Sequence, residues 1–292
     1  MEEKKAKLSL VMTMFIFGTI GIFVNYINLP TNIIAVVRGF VGAISLLLIT
    51  KIKKEKISIQ AISKNWKLLF FSGFLIGLNW VLLFEAYKYT SVAIATLCSY
   101  LAPIFMMLTS YFLFKEKLRP SNFLCVFVAL LGMVFVSGVF ETSEYAANHF
   151  KGVLFGVMTA ICYTFVIFIN KSIKDISPND KTVVQLFIAG LSFLPYTLLS
   201  KNTTSISFDF LSIFLLLIVA VLHTGYSYSI YFNCVAKLKT QTVAMYSYTD
   251  PIVAIVLSTI ILKQKMTLLS VIGAILILGS TMVNELLERR KK

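Results

Sequence analysis

The 292-residue chain is short of charge. Charged residues make up 14% of it, and only thirteen of them are acidic. A soluble domain of this length carries about 25% charge, so a water-soluble globular fold is excluded. The four cysteines, Cys98, Cys125, Cys162 and Cys234, form no CxxC pair and fall in or at the ends of apolar runs. They read as small packing residues, not as a disulfide framework or thiolate metal centre. No GxSxG, HExxH, P-loop or GxGxxG pattern occurs, so no enzyme, metal or cofactor signature is present. Nor is there an ATP-binding domain, a low-complexity tract or a soluble appendage.

What the chain has is apolar length. Hydrophobic residues make up 58% and the mean hydropathy is +0.85. A bilayer core needs about 20 apolar residues per helix, and ten stretches approach that length. They are 8–26, 33–50, 68–87, 91–114 and 122–140, then 152–170, 182–199, 211–235, 242–262 and 267–283. The first follows Lys4, Lys5 and Lys7 but lacks an A-x-A cleavage site, so a retained span is expected. Each stretch must be helical, because lipid offers no partner to an open strand edge. The fold expected is an all-α integral membrane protein.

The stretches repeat. An ungapped offset of 148 residues carries Gly77 onto Gly225 and Phe84 onto Phe232. It also carries Ser99, Tyr100 and Pro103 onto Ser247, Tyr248 and Pro251, and Lys115 and Lys117 onto Lys263 and Lys265. Two halves follow, 1–145 and 146–292, with residues 141–151 as the linking loop. Five spans per half is an odd number, so the halves insert with opposite topology. Ten helices then form two inverted five-helix repeats around a central cavity, an arrangement characteristic of transporters.

The net charge of +14 suggests nucleic acid at first sight. Its distribution says otherwise. With the N-terminus placed in the cytoplasm, 21 of the 27 basic residues fall in cytoplasmic segments and five in outer ones; Arg38 lies within a span. That is the positive-inside pattern. It places both termini on the cytoplasmic side of the cell membrane and the 141–151 loop outside.

These passages resemble the EamA family of the drug/metabolite transporter superfamily. The resemblance rests on Ala86 to Ala93, Pro103, Lys115 to Leu118 and their second-half counterparts through Asp250-Pro251. Arg38 and the Trp66-to-Gly77 start of the third span add to it. It implies a ten-helix permease that moves a small metabolite by alternating access, often an exporter of amino acids or related compounds. Two departures stand out: Asp250 where the family often has Glu, and Gln264 between the second lysine pair. The first keeps the charge; the second removes an acidic group.

Ionisable groups inside a membrane are costly and mark functional sites. Four qualify. Arg38 suits a planar carboxylate, or serves as a structural cation that snorkels or pairs with a helix end. Asp250 precedes Pro251, whose missing N–H loosens the helix and aims the carboxylate at the cavity; Pro103 is its counterpart. Glu85 and His223 are candidates for proton coupling. Against this, Glu85 can pair with Lys88 one turn on, and a lone histidine is often a hydrogen-bonded packing residue.

The offset pairs Asn79 and Trp80 with Ser227 and Tyr228, and Ser99 and Tyr100 with Ser247 and Tyr248. These eight are expected to line the cavity between the repeats. Tyr26, Tyr87, Tyr89 and Trp66 fit an interfacial belt instead. The glycine pairs Gly73/Gly77 and Gly152/Gly156 read as helix-packing positions.

The partners expected are a small-molecule substrate and membrane lipids, with no nucleic acid. A monomer suffices for transport, and higher oligomers stay open. Two other readings are weaker. A sugar-phosphate or nucleotide-sugar exchanger should carry clustered intramembrane Lys or Arg. A membrane-embedded lipid enzyme should carry acid–base or metal-ligand clusters at one membrane face.

Overall fold

A computed structural model describes residues 2–55, 57–114, 120–136, 144–199, 209–238, 243 and 246–289. Among these every regular element is helical. They are α1 (Glu2–Asn25), α2 (Thr31–Ile52), α3 (Ile59–Lys64), α4 (Trp66–Tyr89), α5 (Val92–Ser99), α6 (Ala102–Phe114) and α7 (Pro120–Val136). There follow α8 (Glu144–Ser172), α9 (Pro178–Leu199), α10 (Phe210–Ile218), a π-helical segment (Val219–Tyr226), α11 (Ser227–Lys237), α12 (Thr249–Ile260) and α13 (Leu268–Arg289).

Among the described residues, seven stretches are long and apolar enough to cross a membrane; Phe123–Val136, Thr249–Ile260 and Leu268–Val283 are shorter apolar helices. Large apolar side chains such as Leu8, Phe127, Leu211 and Ile275 are exposed. In a chain this apolar they face lipid. The protein is thus a multi-pass membrane protein.

Three elements differ from the expected spans. The sixth begins eight residues early: 144–151 belong to α8, not to a loop, while 141–143 lie outside the described residues. The fourth is two helices, α5 and α6, separated at Tyr100 and Leu101. Their amides turn back tightly, from Tyr100 to Thr96 and Leu97 and from Leu101 to Cys98. Pro103 therefore falls in the first turn of α6, where a missing N–H costs nothing, and Pro251 falls in the first turn of α12. The eighth is interrupted by the π segment, which hydropathy cannot reveal because it changes hydrogen-bond register and not polarity.

Capping explains several starts. The Ser91 hydroxyl accepts from the Ile94 amide. Gln264 Oε1 accepts from the Val92 amide at 3.0 Å, so the residue that departs from the family pattern caps α5. Asp209 caps α10 through the Ser212 amide. Hydrogen bonds from the Ser212 hydroxyl and amide hold the Asp209 carboxyl below the usual carboxylate range.

The helices α2 and α9 cross at bare backbone. A Cβ at Gly39 would sit 2.5 Å from the Gly190 nitrogen. Two further crossings correspond under the 148-residue offset. Gly225 meets the side chain of Ser45, and Gly77 meets that of Phe193. Gly73, Gly152 and Gly156 also pack closely, against Ile188, Thr90 and Cys98. Gly39→Leu is expected to cost about 1–3 kcal/mol by overpacking, read as a lowered Tm in detergent. An unchanged Tm would mean that the crossing can separate freely.

Candidate functional site: a buried arginine and a tyrosine–aspartate pair

The sequence-expected residues fall into separate groups. The first surrounds Arg38, on α2 beside the Gly39 crossing. Its side chain is 4% exposed. The guanidinium carbon lies 4.1 Å from the centroid of the Trp80 ring on α4 and 5.7 Å from that of Phe84. Its Nε donates to Thr224 Oγ1 at 2.8 Å, and the Thr224 hydroxyl donates to the Val219 carbonyl five residues back at 3.1 Å. Arg38 is thus tied to the π turn by its own side chain.

A guanidinium has five N–H donors, and Nε uses one. Among the described residues no carboxylate pairs with Arg38. Among the described residues, the enclosed side-chain polar atoms without partners include His223 Nδ1 and Ser227 Oγ, beside the same turn. Thr224 is, among the described residues, the hydrogen-bond partner shown for the guanidinium. A guanidinium stacked on indole, with no carboxylate partner among the described residues, has the donor geometry to receive a planar anion on two parallel N–H bonds.

His223 and Ser227 flank the same turn, both fully buried. His223 Nε2 is 2.9 Å from Thr19 Oγ1 on α1, and its ring meets Phe23 edge-on at 4.9 Å. Tyr228 packs edge-on against Phe17 at 5.5 Å.

The second group joins α5 to α12. The Tyr100 hydroxyl donates to Asp250 Oδ2 at 2.8 Å and also contacts the Ser247 carbonyl at 3.2 Å. That carbonyl lies four residues before Pro251, the position whose helical donor proline removes. Tyr100 from the first half thus meets a carboxylate and a carbonyl of the second half. The Tyr100 and Tyr248 rings lie 6.4 Å apart.

Other expected residues are held locally. The Ser99 hydroxyl donates to the Thr96 carbonyl and that of Ser247 to the Val243 carbonyl. Asn79 donates to the Thr159 carbonyl on α8 at 2.9 Å, joining the halves. Glu85 stands apart, accepting from Thr31 at 2.6 Å and from Lys88 at 2.8 Å. None of the eight proposed cavity residues is an exposed side chain.

Sequence reading missed Thr224 and Thr19, ordinary residues whose value lies in what they meet. It also placed Tyr87 in the interfacial belt. The structure buries Tyr87, with its hydroxyl 3.5 Å from Thr96 Oγ1 and within electrostatic reach of both Arg38 and Asp250. Tyr26 and Trp66 are exposed, as a belt requires.

The fold defines a multi-pass membrane protein in class, and among its described residues no carboxylate pairs with the buried Arg38. The family model that matches is that of the EamA-like transporter family, over residues 4–138 and again over 150–285. The chain belongs to that family. It is 26% identical over 280 residues to the uncharacterized transporter YxxF of Bacillus subtilis, covering 94% of this chain and 88% of that one. It is 22% identical over 292 residues to YoaV of the same organism, another uncharacterized transporter, covering 99% of each. A probable amino-acid metabolite efflux pump of Salmonella typhimurium is 24% identical over 213 residues, 69% of this chain and 70% of that one. A solved crystal structure superposes with a TM-score of 0.67 at 18% identity over 99% of each chain, a likeness of fold alone.

Proposed function

We propose that the protein is a secondary transporter that exports amino acids or related small metabolites across the cytoplasmic membrane by alternating access. One observation carries this reading: Arg38 is buried, stacked on Trp80 and bonded to one hydroxyl, and among the described residues no carboxylate pairs with it. A structural arginine at this depth would be expected to bind a carboxylate or a set of carbonyls. The name of the Salmonella relative supports the substrate class. Asp250 and Tyr100 are the opposing polar wall, suited to an amine. Asn79, Trp80, Ser99, Ser227, Tyr228, Ser247 and Tyr248 complete the site. Glu85 and His223 are the groups proposed to carry a coupling proton.

The transport cycle rests on ten passes in two inverted repeats, 1–145 and 146–292. Counting the three shorter apolar helices as passes supports the number, and the two family matches support the division. The packing supports a two-fold relation. α4 packs on α8 as α11 packs on α1, α4 on α9 as the π segment on α2, and α5 on α8 as α12 on α1. The remaining major contacts, α2 on α9, α7 on α13 and α5 on α12, map onto themselves. Rocking one repeat against the other would expose Arg38 and Asp250 to each side in turn.

Reconstitution tests the function directly: protein in liposomes should carry a radiolabelled amino acid in a saturable manner. The orientation is tested in intact cells, in a background cleared of the four buried cysteines. A cysteine at the exposed Asn148 should react with an impermeant maleimide, and one at the exposed Ser63 should not. The opposite labelling would invert the assignment.

A further inference from the structure

At the end of the bundle that holds the N-terminus of α1 lies a cavity of about 350 Å³ that the transport reading does not use. It is bounded by the first turns of α1, the C-terminus of α2 and the last turns of α11. Lys5, Ser9, Lys53, Asn233, Cys234 and Lys237 line it. Lysines from α1, the C-cap of α2 and α11 therefore share one hollow, with no carboxylate among the described residues that line it. The described acid nearest Lys5 in sequence, Glu3, is held by Lys7 at 2.7 Å.

The cavity is ordered on one side. Lys53 Nζ donates to Ser229 Oγ at 2.9 Å, and Ser229 is 2% exposed. The Asn233 amide donates to the Ser229 carbonyl at 2.6 Å. One ammonium is thereby fixed at the wall, and its remaining two N–H donors are available to the hollow. All three lysines are exposed, and among the described residues none is in an ion pair, so their like charges repel one another through solvent. A compact multivalent anion would relieve that repulsion, and phosphate suits point-charge lysine donors. Leu8 and Ile52, next in sequence to the lining residues Ser9 and Lys53, are exposed apolar side chains, so an acyl chain could lie alongside.

We infer that this cavity binds a phosphate-bearing anion, either a lipid headgroup or a soluble phosphate. By the basic bias of the loops it faces the cytoplasmic leaflet, where basic pockets between helices take anionic headgroups. Lys5, Lys53 and Lys237 would each contact the phosphate oxygens.

Purified protein in neutral detergent tests this. One arm compares phosphatidylglycerol with phosphatidylcholine, reading retained lipid by native mass spectrometry and Tm by scanning fluorimetry. The other compares inorganic phosphate with chloride at matched ionic strength. The wild type should retain phosphatidylglycerol over phosphatidylcholine and gain about 3 °C or more in Tm. Lys53→Gln should lose at least half of that shift. So should the pair Lys5→Gln and Lys237→Gln, which leaves the Lys53–Ser229 bond intact and carries the test if Lys53→Gln is not monodisperse. A response to phosphatidylglycerol alone assigns the site to lipid; a response to both assigns it to soluble phosphate as well. No preference in either arm for the wild type, or an undiminished response in the variants, overturns the proposal.

Discussion

Arg38→Lys should reduce transport by about 10- to 100-fold at matched expression, although the charge is kept. Hydrogen bonds to a charged group contribute about 1.5–3 kcal/mol, and 1.4 kcal/mol is a factor of ten. A lysine ammonium cannot stack flat on Trp80 while offering two parallel donors. Its shorter reach also abandons Thr224, which now accepts from Arg38 Nε. Arg38→Ala should do no better. Thermal stability distinguishes site from scaffold. If Arg38 serves the substrate, transport falls while the monodisperse protein persists. Near-normal transport by both variants would leave only a packing role.

The second large effect is expected at Asp250 and Tyr100. Asp250→Asn removes the charge but keeps the shape, and its amide can still accept from Tyr100. It should lower transport at least tenfold. Tyr100→Phe deletes the hydroxyl that donates to Asp250 and contacts the Ser247 carbonyl. A several-fold rise in KM is expected, with a smaller change in maximal rate. Tyr248→Ala, across the 6.4 Å ring contact, should change substrate preference and leave the protein folded. Wild-type KM values in all three variants would remove this wall from the site.

How much of this was legible beforehand depended on the physics behind each feature. The apolar passes were, since lipid forces helix and hydropathy reads length directly. The break at Tyr100 was half legible: Pro103 signalled an irregularity, but its position depends on which turn the proline begins. The π segment was not, because Val219 to Tyr226 is no more polar than its surroundings and differs only in hydrogen-bond spacing. Polarity also could not say who satisfies whom. Asn79, Ser99 and Ser247 all read as cavity polar groups, yet each donates to a backbone carbonyl. Tyr87 read as interfacial because it stands near a helix end, and its burial follows from how α5 folds back onto α4. Arg38 was legible as a candidate because an ionisable group within an apolar span is costly, while the choice between a binding and a structural role was not. Its stacking on Trp80 and its bond to the π turn required three helices to be seen together.

The most direct test of the central claim is flux in proteoliposomes. An amino-acid panel would be measured for wild type and Arg38→Lys, with and without an imposed proton gradient. The account predicts saturable transport of at least one amino acid or close derivative by the wild type, reduced at least tenfold in Arg38→Lys. Wild-type flux no greater than that of protein-free liposomes across the panel, or equal flux in the two proteins, would contradict it.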